Sequence, residues 1–158
     1  MPKPLRSLAL ICALLTACQA PTGGRASGWV RYPDQRPSTA IPLRVDRRPD
    51  GLIVEQLRDG DGLALQELDH AFFHFTGWLA DDEEKFDSTL DRGLYLEYRY
   101  GQTPINPGWD AGVRGMRVGA KRRLRVPAAL GYGARGAGPV PPDADLIYEL
   151  ELLHIKQP

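Results

Sequence analysis

From about Leu43 to the C-terminus, apolar and polar residues alternate in short runs separated by turn-forming sequences. Gly51-Leu52-Ile53-Val54-Glu55-Gln56-Leu57 leads into the turn-rich Arg58-Asp59-Gly60-Asp61-Gly62. Ala71, Phe73 and Phe75 alternate with Phe72 and His74, and Leu96, Tyr98 and Tyr100 with Glu97 and Arg99. Leu124 and Val126 alternate with arginines, and Leu146, Tyr148, Leu150 and Leu152 with Ile147, Glu149, Glu151 and Leu153. A period of two sends successive side chains to opposite faces of a strand, so these runs predict strands with one buried face. One stretch breaks the period. Trp109, Val113 and Met116 fall at i, i+4 and i+7, on one face of a helix that Pro107 opens and Gly119 is expected to close. Several strands and one short helix predict an α+β domain, an antiparallel sheet packed on that helix, over residues 43–158.

The residues before this domain follow another pattern. Lys3 and Arg6 precede a short apolar run from Leu8 to Ala17. A membrane-spanning helix needs about 20 residues, so the run is too short to cross a bilayer. It has the length of the apolar core of a secretory signal. Leu15-Thr16-Ala17-Cys18 resembles the lipobox of bacterial lipoprotein precursors. That resemblance implies removal of residues 1–17 as a signal peptide and attachment of lipid to Cys18. Cys12 and Cys18 are the two cysteines of the sequence. A mature chain starting at Cys18 would therefore hold one thiol, with no disulfide to form, and acylation would consume it. Gln19, where an Asp favours inner-membrane retention in Gram-negative lipoproteins, points to lipid anchoring in the outer membrane of the cell envelope, facing the periplasm. Residues 18–42 are rich in Gly, Pro, Ser, Thr and Arg and read as a flexible tether. Trp29, Val30 and Tyr32 are apolar exceptions within it.

Composition narrows the function. A chain of 158 residues, 42% hydrophobic and 25% charged, suits one soluble domain with an extension. Its 20 basic and 20 acidic residues cancel. The basic triplet Lys121-Arg122-Arg123 reads as a solvated strand face, so no nucleic-acid partner is expected. The sequence has no nucleophile elbow, no cysteine or histidine cluster at metal-ligand spacing and no phosphate-cradling glycine loop. Neither a metal nor a cofactor is expected. His70, His74 and His154 lie in or beside the predicted strands, and His74 reads as a surface residue. What the domain has in quantity is aromatic side chains set on strands and loops.

Those aromatics sit in ordered blocks. Phe73-His74-Phe75-Thr76-Gly77-Trp78-Leu79 is followed by Lys85-Phe86-Asp87-Ser88-Thr89. Pro107-Gly108-Trp109-Asp110-Ala111-Gly112-Val113 comes next, with Met116, Val118, Gly119 and Lys121. Val126-Pro127, Leu130-Gly131-Tyr132-Gly133, Gly136 and Val140-Pro141-Pro142 precede the closing Leu146 to Leu153. In order and spacing, from about Gly51 to Lys156, these blocks resemble the FKBP-type peptidyl-prolyl cis-trans isomerases. The resemblance implies a five- or six-stranded antiparallel sheet wrapped around one short helix, with an aromatic cleft between them. It places Trp109 at the cleft floor and Phe75, Phe86, Tyr98 and Tyr148 in the walls. Tyr132 would offer a hydroxyl, Val140 would sit on a closing loop, and Ile105 and Asn106 would present backbone groups. Asp87 would be the carboxylate at the rim, paired with Arg92. Catalysis would fall to Asp87, Tyr132 and Phe86, and the partners would be proline-containing protein substrates, with macrolides as inhibitors.

Departures from the family pattern bear on activity. Phe75 stands where tyrosine is common, Leu96 where an aromatic is common, and Asn106 where members carry an aliphatic residue. The Ala137-Gly138-Pro139 stretch is one residue short. The Asn106 amide has to stay hydrated or find partners, which predicts weaker binding of apolar macrolides. An active isomerase of exported proteins is the leading reading. A non-catalytic module that holds proline segments or assists folding is the alternative, and an envelope scaffold the third.

Overall fold

The last alternating run becomes the longest strand of the sheet. In the computed structural model of the chain, which describes residues 36–102 and 105–156, β7 spans Leu146–Lys156. Before it come β1 (Arg44–Arg47), β2 (Ile53–Arg58), β3 (His70–Leu79), β4 (Lys85–Ser88), β5 (Leu96–Arg99) and β6 (Lys121–Val126). Helix α1 (Thr89–Arg92) is one turn between β4 and β5, and α2 (Pro107–Val113) lies between β5 and β6. The strands form one antiparallel sheet in the order β1-β2-β6-β7-β3-β4, with β5 also paired to β3. Seven strands replace the expected five or six, because β4 and β5 share one side of β3 in tandem. The Trp29–Tyr32 segment and Cys18 lie outside the described residues.

On the strands that face α2, the inward set is the apolar set. Leu52 and Val54, Ala71, Phe73 and Phe75, Tyr98, Leu124 and Val126, and Leu146, Tyr148, Leu150 and Leu152 are all buried against Trp109, Val113 and Met116. Each Val, Leu, Phe or Met side chain among them contributes about 1.5–3 kcal/mol on leaving water. Near the end of β7 the pairing shifts: Phe73 faces Leu152 but Phe72 faces His154, leaving Leu153 as an extra residue. The bulge turns Ile155 inward, out of step with the alternation before it.

Helix α2 lies close on the sheet. A Cβ at Gly108 would stand 2.3 Å from Val126 Cγ1, and one at Gly112 2.4 Å from Leu124 Cδ1. The two glycines share one helical face, so the backbone itself rests on β6 and brings Trp109 down into the core. The helix stops at Val113 rather than near Gly119. Arg114 leaves helical geometry, Gly115 turns the chain at φ 66°, and Met116 is buried from beyond the helix end. Arg122 Nη1 donates to the carbonyls of Gly112 and Arg114 at 2.6 and 2.9 Å, satisfying acceptors that the helix end leaves open.

The outer face corrects the reading of the basic triplet. Arg123 is 5% exposed. Its guanidinium reaches Glu55 at 2.8 Å on β2 and Glu149 at 3.0 Å on β7, and it donates to the Ser38 carbonyl. Ser38, in the stretch read as a tether, also donates its N–H to Glu149 at 2.8 Å.

Candidate active site

Trp109 follows two residues after the start of α2, and the loop before it sets its position. Asn106 is the N-cap: its Oδ1 accepts the Trp109 N–H at 2.8 Å, and Pro107 supplies a preset φ at the first helical position. The indole is 0% exposed. Tyr148 and Phe75 meet it edge to face at 5.3 and 5.4 Å, and Phe73 and Tyr98 follow at 5.7 and 6.3 Å. Such pairs contribute about 0.5–1.5 kcal/mol each beyond their buried area. The indole Nε1 has no hydrogen-bond partner among the described residues. Phe86 extends the aromatic group by packing edge to face on Tyr148 at 5.7 Å.

Polar groups stand at defined places around these rings. Tyr98 is buried and donates its O–H to Asp110 at 2.7 Å, tying β5 to α2. Burial raises its hydroxyl well above the ordinary range, and the bond to Asp110 adds to the rise. Tyr98 therefore braces the floor from the sheet. Asn106 is 3% exposed, and its Nδ2 donates to Tyr148 Oη at 3.0 Å. The amide thus finds both partners inside the fold, where the sequence alone left it to water or to a partner. Asn106→Ile would remove a helix cap as well as an amide, so the substitution does more than make the cleft apolar.

Asp87 is ion-paired with Arg92, and both are about one-third exposed. The Arg92 guanidinium also lies 5.9 Å from the centroid of the Phe75 ring. A cation at that distance is attracted to the ring face. Phe75 lacks a hydroxyl for the Asp87 region, and Arg92 links the two by pairing with Asp87 while lying over the Phe75 ring. Ile105, Tyr132 and Leu96 are half-buried against the core, and Val140 is buried. Reciprocal backbone bonds of 2.9 Å between Ala137 and Val140 close the shortened loop. The predicted site residues Phe75, Phe86, Tyr98, Ile105, Trp109, Tyr132, Val140 and Tyr148 thus belong to one contiguous cluster, with Asn106 hydrogen-bonded to Trp109 and Tyr148 and Asp87 ion-paired to the Arg92 that lies over Phe75.

Two supporting residues were not legible as such in the sequence. Thr89, fully buried at the start of α1, accepts the Phe75 N–H at 2.9 Å and donates to the Phe75 carbonyl at 3.1 Å, fixing the backbone beneath that ring. With the Thr89 proton so committed, His74 Nδ1, 3.2 Å from Thr89 Oγ1, is the donor of that contact. His74 is half-buried, not the plain surface residue the alternation suggests. Gly77 is the second. A Cβ there would stand 2.5 Å from Phe86 Cζ, so the missing side chain is the seat of the ring. Gly77→Ala is expected to push Phe86 off Tyr148 and lower the kcat/KM of the activity that the resemblance implies by about tenfold, for about 1–3 kcal/mol of stability. Parallel activity and urea-unfolding measurements check this; unchanged activity would show that the ring's seat is unimportant.

Comparisons with known proteins agree with this geometry. The family model described as FKBP-type peptidyl-prolyl cis-trans isomerase matches residues 63–153. An FK506-binding protein of Neisseria meningitidis serogroup B is 46% identical over 106 residues, which are 66% of this chain and 96% of that protein. The peptidyl-prolyl cis-trans isomerase FPR2 of Saccharomyces cerevisiae is 44% identical over 84 residues, 52% of this chain and 62% of that one. Among solved structures, FkpA from Escherichia coli superimposes with a TM-score of 0.66 at 31% identity, over 74% of this chain and 54% of that chain. A peptidyl-prolyl cis-trans isomerase from Pseudomonas syringae pv. tomato gives 0.61 at 30% identity, over 72% and 81%. A family match over most of the folded domain, and a relative matched along nearly all its length, establish that the chain belongs to the FKBP-type peptidyl-prolyl cis-trans isomerases.

Proposed function

We propose that the isomerase acts on proline-containing segments of exported proteins, with the proline ring seated over Trp109 and against Phe86 and Tyr148. The observation that carries this reading is the ring of aromatic edges around the Trp109 indole, bordered by the partly exposed Asp87–Arg92 pair. Rotation about a peptide bond meets a barrier of about 18–20 kcal/mol because resonance holds the amide planar. The twisted amide has lost that resonance and part of its dipole. It therefore loses less than the planar form on leaving water for an apolar cleft, and the cleft favours it. No nucleophile or proton transfer is needed. A tenfold acceleration takes about 1.4 kcal/mol of such differential binding. Because Trp109 has no exposed surface, a proline reaches it only after neighbouring side chains shift. Rotamer changes of that kind are common on binding. Ile105 and Asn106 supply backbone groups to the peptide, Val140 bounds the closing loop, and macrolides compete for the same cleft.

The same reading places the domain in the cell envelope, held by lipid on Cys18 at the outer membrane and facing the periplasm. The charged start, the apolar run and Leu15-Thr16-Ala17-Cys18 support it. One acyl chain anchors only marginally, so stable attachment rests on the several chains of a mature lipoprotein. The test has two arms. Intact mass of the native protein is expected to show acyl groups on Cys18, lost in Cys18→Ala; an unmodified Cys18 removes the anchor. A chain beginning at residue 36 is expected to accelerate cis-trans exchange at X-Pro bonds, and a folded chain that leaves the exchange at its uncatalysed rate removes the catalytic reading.

A further inference from the structure

The hydrogen-bond directions around Asn106 can be assigned from the donors and acceptors alone. The Trp109 N–H only donates, so the Asn106 atom 2.8 Å from it is the carbonyl oxygen. Fixing that end fixes the other: the atom 3.0 Å from Tyr148 Oη is the amide nitrogen, which only donates. Tyr148 Oη is therefore an acceptor in this contact, and its own proton must point elsewhere. Tyr148 is 1% exposed and Asn106 3%, so no water competes for either bond.

We propose that Asn106 is a positioning residue of this isomerase. By donating to Tyr148 it turns the Tyr148 O–H toward Tyr132, which leaves the Tyr132 O–H free to donate to a carbonyl oxygen of the bound peptide. The inference rests on the cleft being the isomerase site. A hydroxyl has one proton, so each bond in the series sets the direction of the next, and aligned bonds strengthen one another in a dry site. The electrostatics of Tyr148 agree with this direction. Burial raises its hydroxyl most, the adjacent Tyr132 raises it further, and the Asn106 amide works against both.

Asn106→Asp separates this role from a structural one. Asp caps a helix as well as Asn does, so the Trp109 N–H keeps its acceptor. An ionised carboxylate cannot donate, so the Tyr148 O–H swings back to it and the series is reversed. The expected result is a folded protein whose kcat/KM for X-Pro exchange falls about fivefold at neutral pH. Activity should recover as the pH drops through the range of the new carboxyl, about 4 for an ordinary Asp and higher when buried, because the protonated acid donates again. Tyr148→Phe should lose a similar factor without the pH dependence, and adding Asn106→Asp to it should change nothing more. If Asn106→Asp does not fold, Asn106→Ser keeps the cap on a shorter arm, and the same double-mutant comparison applies. Full activity of a folded Asn106 variant at neutral pH, or losses that multiply with Tyr148→Phe, overturn the role of Asn106. A folded wild type without catalysis overturns the isomerase reading and this inference together.

Discussion

Trp109→Ala is expected to destabilise the domain by about 3–5 kcal/mol, read as a lower urea midpoint at nearly constant slope. The indole has no exposed surface and touches Phe73, Phe75, Tyr98 and Tyr148, residues carried on β3, β5 and β7. Truncation leaves a cavity where three parts of the sheet meet α2. The glycine face of α2 already rests on β6, so the helix has no closer position to which it can collapse. A domain of this size is stable by about 5–15 kcal/mol, so a large fraction of the total is at stake. Trp109→Leu restores part of the volume and is the variant for activity measurements. It is expected to fold and to lower kcat/KM by about tenfold, the loss of about 1.4 kcal/mol of preference for the twisted amide. Wild-type activity in folded Trp109→Leu would show that the floor contributes only packing.

Arg123→Met is expected to cost about 3–5 kcal/mol by removing the one guanidinium that bridges Glu55 and Glu149. Both carboxylates are buried, and they would be left facing each other across β6 without that cation. Lys121 at 3.7 Å from Glu149 and Arg125 at 3.5 Å from Glu55 remain as partial replacements, which sets the loss toward the lower end. Replacing all three residues by apolar ones of similar volume should recover most of the stability, because the cost comes from the unpaired charges. Urea unfolding of the single and triple variants checks this. A single variant within about 0.5 kcal/mol of wild type would show that the cluster is hydrated like an ordinary surface.

The outer cluster also shows where local pattern stops being informative. Lys121-Arg122-Arg123 carries no mark that separates its members. Arg123 is buried because antiparallel pairing sets it opposite Glu55 on one side and Glu149 on the other. Arg122 turns to the other face and closes the end of α2. Those fates depend on cross-strand register, which relates residues 26 to 68 positions apart. Strand β4 was missed for a related reason. Lys85-Phe86-Asp87-Ser88 holds a single apolar residue, so no alternation declares itself, and its pairing to Gly77 and Thr76 is what makes it a strand.

By itself the sequence determined the longer strands, the start of α2, the inward set of β3, β6 and β7, and the aromatic and polar residues that meet around Trp109. Burial on one face imposes a period of two on the core-facing runs of β3, β6 and β7, and the family blocks are contiguous, so both signals are local. Tertiary structure alone decided how α2 ends, that Thr89 and Gly77 hold Phe75 and Phe86, and that the Asn106 amide is consumed by Trp109 and Tyr148. Hydrogen-bond partners and close approaches are relations between distant segments. A residue's type limits which of them it can make, and only the fold brings one of them within reach.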